Sequence, residues 1–281
     1  MSSAPAAGVA AAIEALGLAH PVVTPLAGGI LNRSFRVREG DEDLVLKLAG
    51  DAAPALGASR RSEFAMQALA AGVGLAPPVV LADEARGFMV SRHASGRTLS
   101  AGDMQDARLL ARIGAWIAAL HALPVPAGLA VVDFGERAAS YLSRLQADSP
   151  GRFPGRLANE LAARRASLPR PEQLAACHHD LHHRNFIDDG RRLLAVDWEY
   201  AGPGDPAADL ASCVGYHGLR DDGIDALLGG YGQGGAELRE RVAKLAWIFD
   251  CLWFGWNAAA ALSGSAPDMD EQAVLAARLA Q

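Results

Sequence analysis

The segment Cys177–Tyr200, CHHDLHHRNFIDDGRRLLAVDWEY, constrains the fold and the chemistry of this chain more than any other stretch. It places four histidines around Asp180, and near its end an apolar run leads into a further carboxylate, Asp197. Such a segment suggests either a metal site built from histidine or a loop whose carboxylates and amide carry the chemistry. The two interpretations need different partners elsewhere in the chain, and those partners decide between them.

Three residues of this segment occur in an order that has a chemical meaning. Asn185 follows Asp180 by five positions, and Asp197 ends the apolar run RLLAVDW, so a strand would deliver its carboxylate to the edge of a cleft. Kinase-type phosphoryl transfer uses an acid, an asparagine and a strand-borne acid in this order. Asp180 would accept or orient the proton of the substrate hydroxyl. Asn185 and Asp197 would supply oxygen ligands to Mg²⁺, which enters with the nucleotide phosphates.

The histidine interpretation predicts a zinc or iron hydrolase site, which needs further ligands from distant elements. None of the other histidines lies in a strand-end ligand motif: His20, His93, His121 and His217. A histidine cage would also leave Asn185 and Asp197 without a role. The sequence therefore favours phosphoryl transfer over a metal hydrolase.

The secondary-structure pattern changes near residue 93. Before it, the chain alternates as a hairpin, a helix and a second hairpin. Beyond it, helical periodicity dominates, with two short strands expected at Asn185–Ile187 and Leu193–Val196. We therefore predict an α+β fold of two lobes, with a small antiparallel-sheet N-lobe at 1–93 and a larger, mainly helical C-lobe at 94–281. Ligands usually bind in the cleft of such an arrangement.

Some helix boundaries can be predicted from local signals. Apolar periodicity predicts a helix at Asp103–Leu123 that stops before Pro124. Glycine-rich and proline-containing stretches predict breaks at Gly229–Gly235 and Ser263–Pro267. The apolar stretch Leu245–Leu262 is about long enough to span a bilayer, but its polar residues favour a buried helix instead.

The motifs HHDLHHRNF and VDWEYAGPGDPAADLA together resemble the aminoglycoside phosphotransferase/choline kinase family, which shares the protein-kinase-like fold. Upstream, GGILNRSFRV and LVLKL are similar to the nucleotide lobe of its choline and thiamine kinase branch. The resemblance covers most of residues 24–260 and is weak in 125–170. It implies a bilobal enzyme that uses ATP and Mg²⁺ to phosphorylate an alcohol. It also implies that His178 braces the loop before Asp180.

A lysine in an apolar strand is unusual in this chain, because only two of its 26 basic residues are lysines. Lys47 lies between two leucines, and a strand lysine with a desolvated head needs an acidic partner. The resemblance implies that Lys47 holds the α- and β-phosphates of ATP and that Glu63, on the following helix, pairs with it.

Further nucleotide contacts are predicted in the N-lobe. Gly28 and Gly29 would let the backbone approach phosphates, although a simple turn explains two glycines equally well. Asn32 could donate to a phosphate. The hinge near Ser91–Ser95, including Ser91 and His93, is expected to offer backbone hydrogen bonds to an adenine.

The segment AWIFDCLWFGWN carries the prediction about the acceptor. On a helix, Trp247, Trp253 and Phe254 share the face of Asp250, and an acid among aromatic rings suits a soft cation. An ordinary core helix with one buried, hydrogen-bonded aspartate remains the alternative. The family resemblance favours a cation pocket, to which Glu199 and Tyr200 would add.

The predicted acceptor is accordingly choline or a related amino alcohol. Thiamine, or an aminoglycoside or amino sugar, remains the alternative, as does an inactive nucleotide-binding module. In GDPAADLA, Asp205 and Asp209 fit an N-cap and a loop-bracing acid rather than catalytic groups.

Charge and cysteine content exclude other classes of protein. A net charge of −6 and a pI near 5.7 argue against a nucleic-acid surface. Three separated cysteines predict reduced thiols in a cytoplasmic protein. The N-terminus lacks the basic start and apolar block of a signal peptide. The expected partners are a nucleotide and a small cationic alcohol, and the oligomeric state is left open.

Overall fold

The computed structural model of the protein describes residues 3–26, 32–50, 56–148, 155–232, 235–262 and 269–280. The chain forms two compact units. The first contains residues up to Thr98 together with Asn185–Tyr200, and the second contains Leu99–Arg184 together with the residues from Ala201 onward. The assignment of 1–93 and 94–281 as functional lobes stays a prediction.

The first unit is built on an antiparallel five-stranded sheet. Its strands are β1 (Val22–Leu26), β2 (Asn32–Glu39), β3 (Glu42–Ala49), β4 (Val79–Asp83) and β5 (Phe88–Arg92), in the order β1-β2-β3-β5-β4. The helices of this unit are α1 (Ser3–Leu16) and α2 (Arg60–Gly72). Strict alternation in β3 buries three leucines in a core with Val37, Phe88 and Val90, and so turns Lys47 to the opposite face of the sheet.

A second, smaller sheet carries the second half of the opening motif. Its strands are β6 (Arg97–Thr98), β8 (Phe186–Asp188) and β9 (Leu193–Ala195), in the order β6-β8-β9. The Ala195 amide donates to the Leu75 carbonyl at 2.8 Å, and the Ser59 amide donates to the Glu199 carbonyl at 3.0 Å. These bonds fix the segment after β9 beside α2. The two predicted strands are confirmed: β8 is shifted by one residue at both ends, and β9 ends one residue earlier than predicted.

The second unit is mainly helical. Its helices are α3 (Ala107–His121), α4 (Phe134–Asp148), α5 (Gly155–Ser167), α6 (Pro206–His217), α7 (Asp221–Tyr231), α8 (Ala236–Leu262) and α9 (Met269–Leu279). A two-stranded antiparallel sheet pairs β7 (Ala175–Cys177) with β10 (Gly202–Gly204). The predicted α+β class, with antiparallel sheet early and helices late, is confirmed.

Two helix boundaries differ from the prediction. The helix expected at Asp103–Leu123 starts later, because Asp106 accepts from the amides of Arg108 and Leu109 and caps α3. The break was predicted to begin at Gly229, but α7 continues to Tyr231 and the break begins after it. A side chain at Gly230 would collide with the Ala111 backbone of α3, so this glycine serves close helix packing. The predicted break at Ser263–Pro267 lies outside the described residues.

No helix in the described ranges combines the length and the apolarity that crossing a bilayer requires.

Candidate active site

A charged cluster surrounds Lys47 in the first unit. Lys47 Nζ lies 2.6 Å from Glu63 Oε1, forms a hydrogen bond with Asp197, and lies 3.7 Å from Glu199 Oε2. The lysine comes from β3, Glu63 from the first turn of α2, and the two other acids from the segment after β9. We call this set, with Asn32 and Arg60 described next, the Lys47 cluster.

Two further side chains complete the Lys47 cluster. The Asn32 amide donates to Glu199, and Arg60 Nη2 donates to Asn32 Oδ1 at 2.7 Å. Arg60 also lies 3.3 Å from Glu63 Oε2. Glu199 therefore contacts the predicted phosphate-binding residues, although the sequence predicted it as a substrate residue. Arg60 was not predicted, and its place one turn before Glu63 on α2 is the signal that could have found it.

Electrostatics keep Lys47 charged. Burial works to lower the pKa of Lys47, but the carboxylates of Asp197, Glu63 and Glu199 outweigh burial and raise that pKa above its ordinary value. The lysine is thus a fixed cation held by acids, which suits a group that binds phosphates and does not suit a proton donor.

Asp197 has a strained backbone. Its φ of 66° lies in the left-handed region, and besides it only His179 among the described non-glycine residues has a positive φ. Such strain persists where the surrounding structure imposes it, and it concentrates at functional positions. The Val196 amide donates to the Asn185 carbonyl at 2.9 Å, so the two predicted metal ligands lie on paired chain segments of one unit.

Asp180 belongs to the second unit, on a loop held by Asp209. The amides of His178 and His179 donate to the Asp209 carboxylate at 2.9 and 2.6 Å, and His121 Nε2 lies 3.1 Å from it. Burial opposes the charge of Asp209, but its hydrogen bond with His121 and the nearby histidines lower its pKa to about 2. The geometry agrees with the predicted bracing role of Asp209.

The loop histidines pack rather than gather around a metal. His178 is fully buried, with its ring 6.4 Å from that of Trp116. Burial lowers the pKa of His179 to about 3, and neither of its ring nitrogens has a hydrogen-bond partner among the described residues. Its ring fills the space beside Gly204, where a Cβ atom would collide with it. These contacts fit structural roles for both residues.

Within the described ranges, one group of three potential metal ligands lies close together: His121, Cys177 and Asp209. It contains none of the four histidines of the opening motif. His121 also hydrogen-bonds to Tyr231, and burial raises the pKa of the Cys177 thiol, so the group is a closed hydrogen-bonding network. This geometry gives the metal-hydrolase alternative no support.

Asp205 caps α6 by accepting from the Ala207 amide at 3.0 Å, and it forms an ion pair with Arg241 at 2.5 Å. The capping geometry agrees with the structural role predicted for it.

An aromatic group lies next to Asp180. The Tyr216 hydroxyl donates to Asp180 Oδ1 at 2.5 Å. The Tyr216 ring meets those of Phe249 and Trp253 edge-on, at 4.7 and 4.9 Å, and Trp253 stacks on Trp256 at 5.2 Å. Tyr216 was not predicted, although it follows Asp209 by seven positions on a helix.

Asp250 already has a cationic partner within the chain. Arg278, on α9, lies 2.6 Å from Asp250 Oδ1 and also donates to the Gly215 carbonyl at 3.0 Å. Trp247 likewise carries the guanidinium of Arg164, 4.1 Å above its ring. Phe254 offers its backbone carbonyl to Gln272. The aromatic face predicted around one cation is therefore divided among several neighbours in the chain.

The other residues predicted to contact the nucleotide or the acceptor lie in the first unit or outside the described residues. Ser91 lies in β5 and is buried, and the His93 amide donates to the Asp43 carbonyl at 2.9 Å. Tyr200 is partly buried in the short turn after Asp197. Gly28 and Gly29 lie outside the described residues.

Comparison with known proteins agrees with the fold and with the motifs. The model of the phosphotransferase enzyme family, APH, matches residues 22–245. A choline/ethanolamine kinase family protein from Mesorhizobium loti is 27% identical, with a TM-score of 0.79 over 99% of this chain and 94% of that one. The choline kinase LicA from Streptococcus pneumoniae is 21% identical, with a TM-score of 0.79 over 97% of each chain. LicA has also been solved in complex with AMP.

Among curated proteins, thiamine kinase from Escherichia coli is 40% identical over 67 residues. This chain spans about a quarter of the length of that relative. The predicted kinase-like fold and the predicted family are both confirmed.

Proposed function

Since this chain belongs to the phosphotransferase enzyme family, we propose that it is an ATP-dependent kinase that phosphorylates the hydroxyl of a small alcohol, with choline or a related amino alcohol as the acceptor. The observation that carries the proposal is the partly buried Lys47, held between Glu63 and Asp197, with the three residues on three different elements. Kinases of this fold use such a lysine–glutamate pair to hold the α- and β-phosphates.

The donor set fits Mg²⁺. Asn185 and Asp197 offer an amide oxygen and a carboxylate, the hard ligands that Mg²⁺ prefers, and they lie on paired segments of the first unit. When bound, the ion would neutralise charge on the transferring phosphoryl group. Glu199, hydrogen-bonded to Asn32 and close to Lys47, would hold these two residues in place rather than contact the acceptor.

The other nucleotide contacts are proposed from position. Asn32, hydrogen-bonded to Glu199 and Arg60 in the Lys47 cluster, is proposed to contact phosphate. The backbone around Ser91, in β5, and His93, just after it, is proposed to contact the adenine. Residues 1–93 would then form the nucleotide lobe, and 94–281 the lobe that carries Asp180 and the acceptor contacts.

Asp180 would orient the attacking hydroxyl and accept its proton. Its loop is fixed by Asp209 through two backbone amides, which keeps the carboxylate in one place with little reorganisation. Positioned acid–base groups of this kind contribute about 10²- to 10⁴-fold to rate.

The aromatic rings beside Asp180 support a cationic acceptor. Trp253, packed against Tyr216 and Trp256, supplies an aromatic ring for the cation. Tyr200, Trp247 and Phe254 are proposed as further acceptor contacts, Trp247 only if Arg164 leaves its ring. For Asp250 to take part, the cation of the acceptor must replace Arg278 on its carboxylate. Thiamine is the second candidate, because 67 residues of this chain are 40% identical to thiamine kinase from Escherichia coli.

A substrate panel tests the proposal. Wild-type protein with ATP and Mg²⁺ is offered choline, ethanolamine, thiamine, kanamycin and the neutral choline isostere 3,3-dimethylbutan-1-ol. We expect choline to exceed its isostere in kcat/KM by roughly 2- to 30-fold, the worth of a cation–π contact. Equal use of the isostere would reject the cation pocket and leave the kinase assignment intact.

Two variants test the assigned roles. Asp197→Ala should abolish turnover in a folded protein, and Asp180→Asn should lower kcat about 10²-fold or more with ATP affinity nearly unchanged. Asp41→Ala, which removes an exposed acid from the turn between β2 and β3, is the control and should match wild type. Wild-type kinetics in Asp197→Ala, or no phosphorylated product from any alcohol, would contradict the kinase proposal.

A further inference from the structure

The hydrogen bond between Tyr216 and Asp180 has no role in the function proposed so far. Tyr216 Oη donates to Asp180 Oδ1 at 2.5 Å, and the Asp180 side chain is almost completely buried. A hydrogen bond to a carboxylate is stronger and shorter than one between neutral groups. It therefore limits how the carboxylate can rotate about its Cβ–Cγ bond.

The position of Tyr216 on α6 makes this bond part of a larger arrangement. Asp209 and Tyr216 are seven residues apart, about two helical turns, so both project from one face of α6. Asp209 holds the backbone just before Asp180, and Tyr216 holds the carboxylate itself. One helix thus fixes both the backbone and the side chain of the candidate base.

The end of α6 that carries Tyr216 is itself anchored. Arg278 donates to the Gly215 carbonyl while paired with Asp250 of α8. A Cβ atom at Gly215 would lie 2.5 Å from Phe249 Cδ1, so glycine permits the close approach of α6 to α8 at this point. The Tyr216 ring then packs edge-on against Phe249 and Trp253. The phenol has little freedom to leave the carboxylate.

From this geometry we propose that Tyr216 is a positioning residue for phosphoryl transfer: its hydroxyl orients the Asp180 carboxylate toward the acceptor hydroxyl. The inference rests on the proposed role of Asp180 as the base. A misplacement of about 1 Å in a reacting group can cost about 10²-fold in rate, so loss of the bond should act on the chemical step.

Tyr216→Phe tests the inference, because phenylalanine keeps the ring packing and removes only the hydroxyl. We expect kcat to fall about 10- to 100-fold, while KM for ATP and for the acceptor stays within about twofold of wild type. Tyr141→Phe is the matched control, since Tyr141 is a buried tyrosine of the same unit and packs against Gly255. It should retain wild-type kcat.

The double variant separates positioning from a general structural effect. If Tyr216 acts through Asp180, Tyr216→Phe should cause no further loss in an Asp180→Ala background, measured in long single-turnover reactions with radiolabelled ATP. A kcat within twofold of wild type, a proportional rise in KM, or an additive loss in the double variant would each overturn the inference. A normal kcat in Asp180→Ala alone would instead overturn the proposed role of Asp180.

Discussion

Replacing Asp250 by asparagine should change how the stability of the protein depends on pH. Burial raises the pKa of Asp250 from 3.8 to about 6, even though the ion pair with Arg278 acts in the opposite direction. The folded state therefore binds a proton at this carboxyl more tightly than the unfolded state does. By linkage, the free energy of unfolding falls as pH rises from about 4 to about 6, and it stays lower above that range.

The size of the effect follows from the two pKa values. A shift of about two units corresponds to about 3 kcal/mol over the whole titration. Between pH 4.5 and 7.5 the wild type should lose about 2 kcal/mol that Asp250→Asn does not lose, because the amide does not titrate. Asp250→Asn should thus gain stability relative to wild type as pH rises. The other titratable groups are the same in both proteins, so their contributions cancel when the two free energies of unfolding are subtracted.

Urea unfolding followed by circular dichroism at several pH values between 4.5 and 7.5 measures the difference. Glu237→Gln, which removes an exposed acid from the same helix, serves as the control and should keep the wild-type pH dependence. A difference between Asp250→Asn and wild type that is constant, or that shrinks toward pH 7.5, would refute the reasoning. The expected result would identify Asp250 as a group whose charge lowers the stability of the folded protein near neutral pH.

Two further substitutions test the frame around the candidate base. Asp209→Asn should lower the free energy of unfolding by on the order of 3 kcal/mol at pH 7 in urea melts. The carboxylate accepts from two buried backbone N–H groups, and the NH2 group of asparagine cannot accept a hydrogen bond. As the pKa of Asp209 lies below its ordinary value, this contribution should disappear as pH falls from about 4 toward 2. Gly215→Ala should cost about 1–3 kcal/mol in the same measurement and lower kcat, because its methyl group would push α6 away from Phe249. Wild-type stability of Asp209→Asn would show that the bonds from the loop amides to Asp209 add little stability. Wild-type stability of Gly215→Ala would show that α6 is not tightly packed against Phe249.

The parts of the fold that depend on local patterns could be predicted from the sequence. Leucine at every second position of β3, from Leu44 to Leu48, predicts both the strand and the face that Lys47 takes. The order of Asp180, Asn185 and Asp197 predicts which loop carries the chemistry, because the spacing of residues within one segment is visible in the sequence itself. Local signals failed at Gly230, where a glycine that reads as a helix breaker instead permits contact with α3.

Contacts between distant segments could not be predicted in the same way. Arg278 lies 28 positions beyond Asp250, and nothing in the sequence around either residue indicates that they pair. Periodicity placed Asp250 and the aromatic residues on one face of α8 but did not show that Arg278 and Arg164 already occupy parts of that face. Glu199 shows the same limit, since its partner Asn32 lies 167 positions away.

The charge balance of the Lys47 cluster gives the metal prediction a basis beyond the motif. Two cations, Lys47 and Arg60, face three carboxylates, so the cluster carries about one net negative charge. Uncompensated charge in a buried setting is costly, and the raised pKa of Lys47 shows that the acids outweigh even its desolvation. Asp197 is the most exposed member of the cluster, with 38% of its side chain accessible. A cation that arrives with the nucleotide phosphates would restore the balance at that carboxylate, which is where the sequence places the metal ligand.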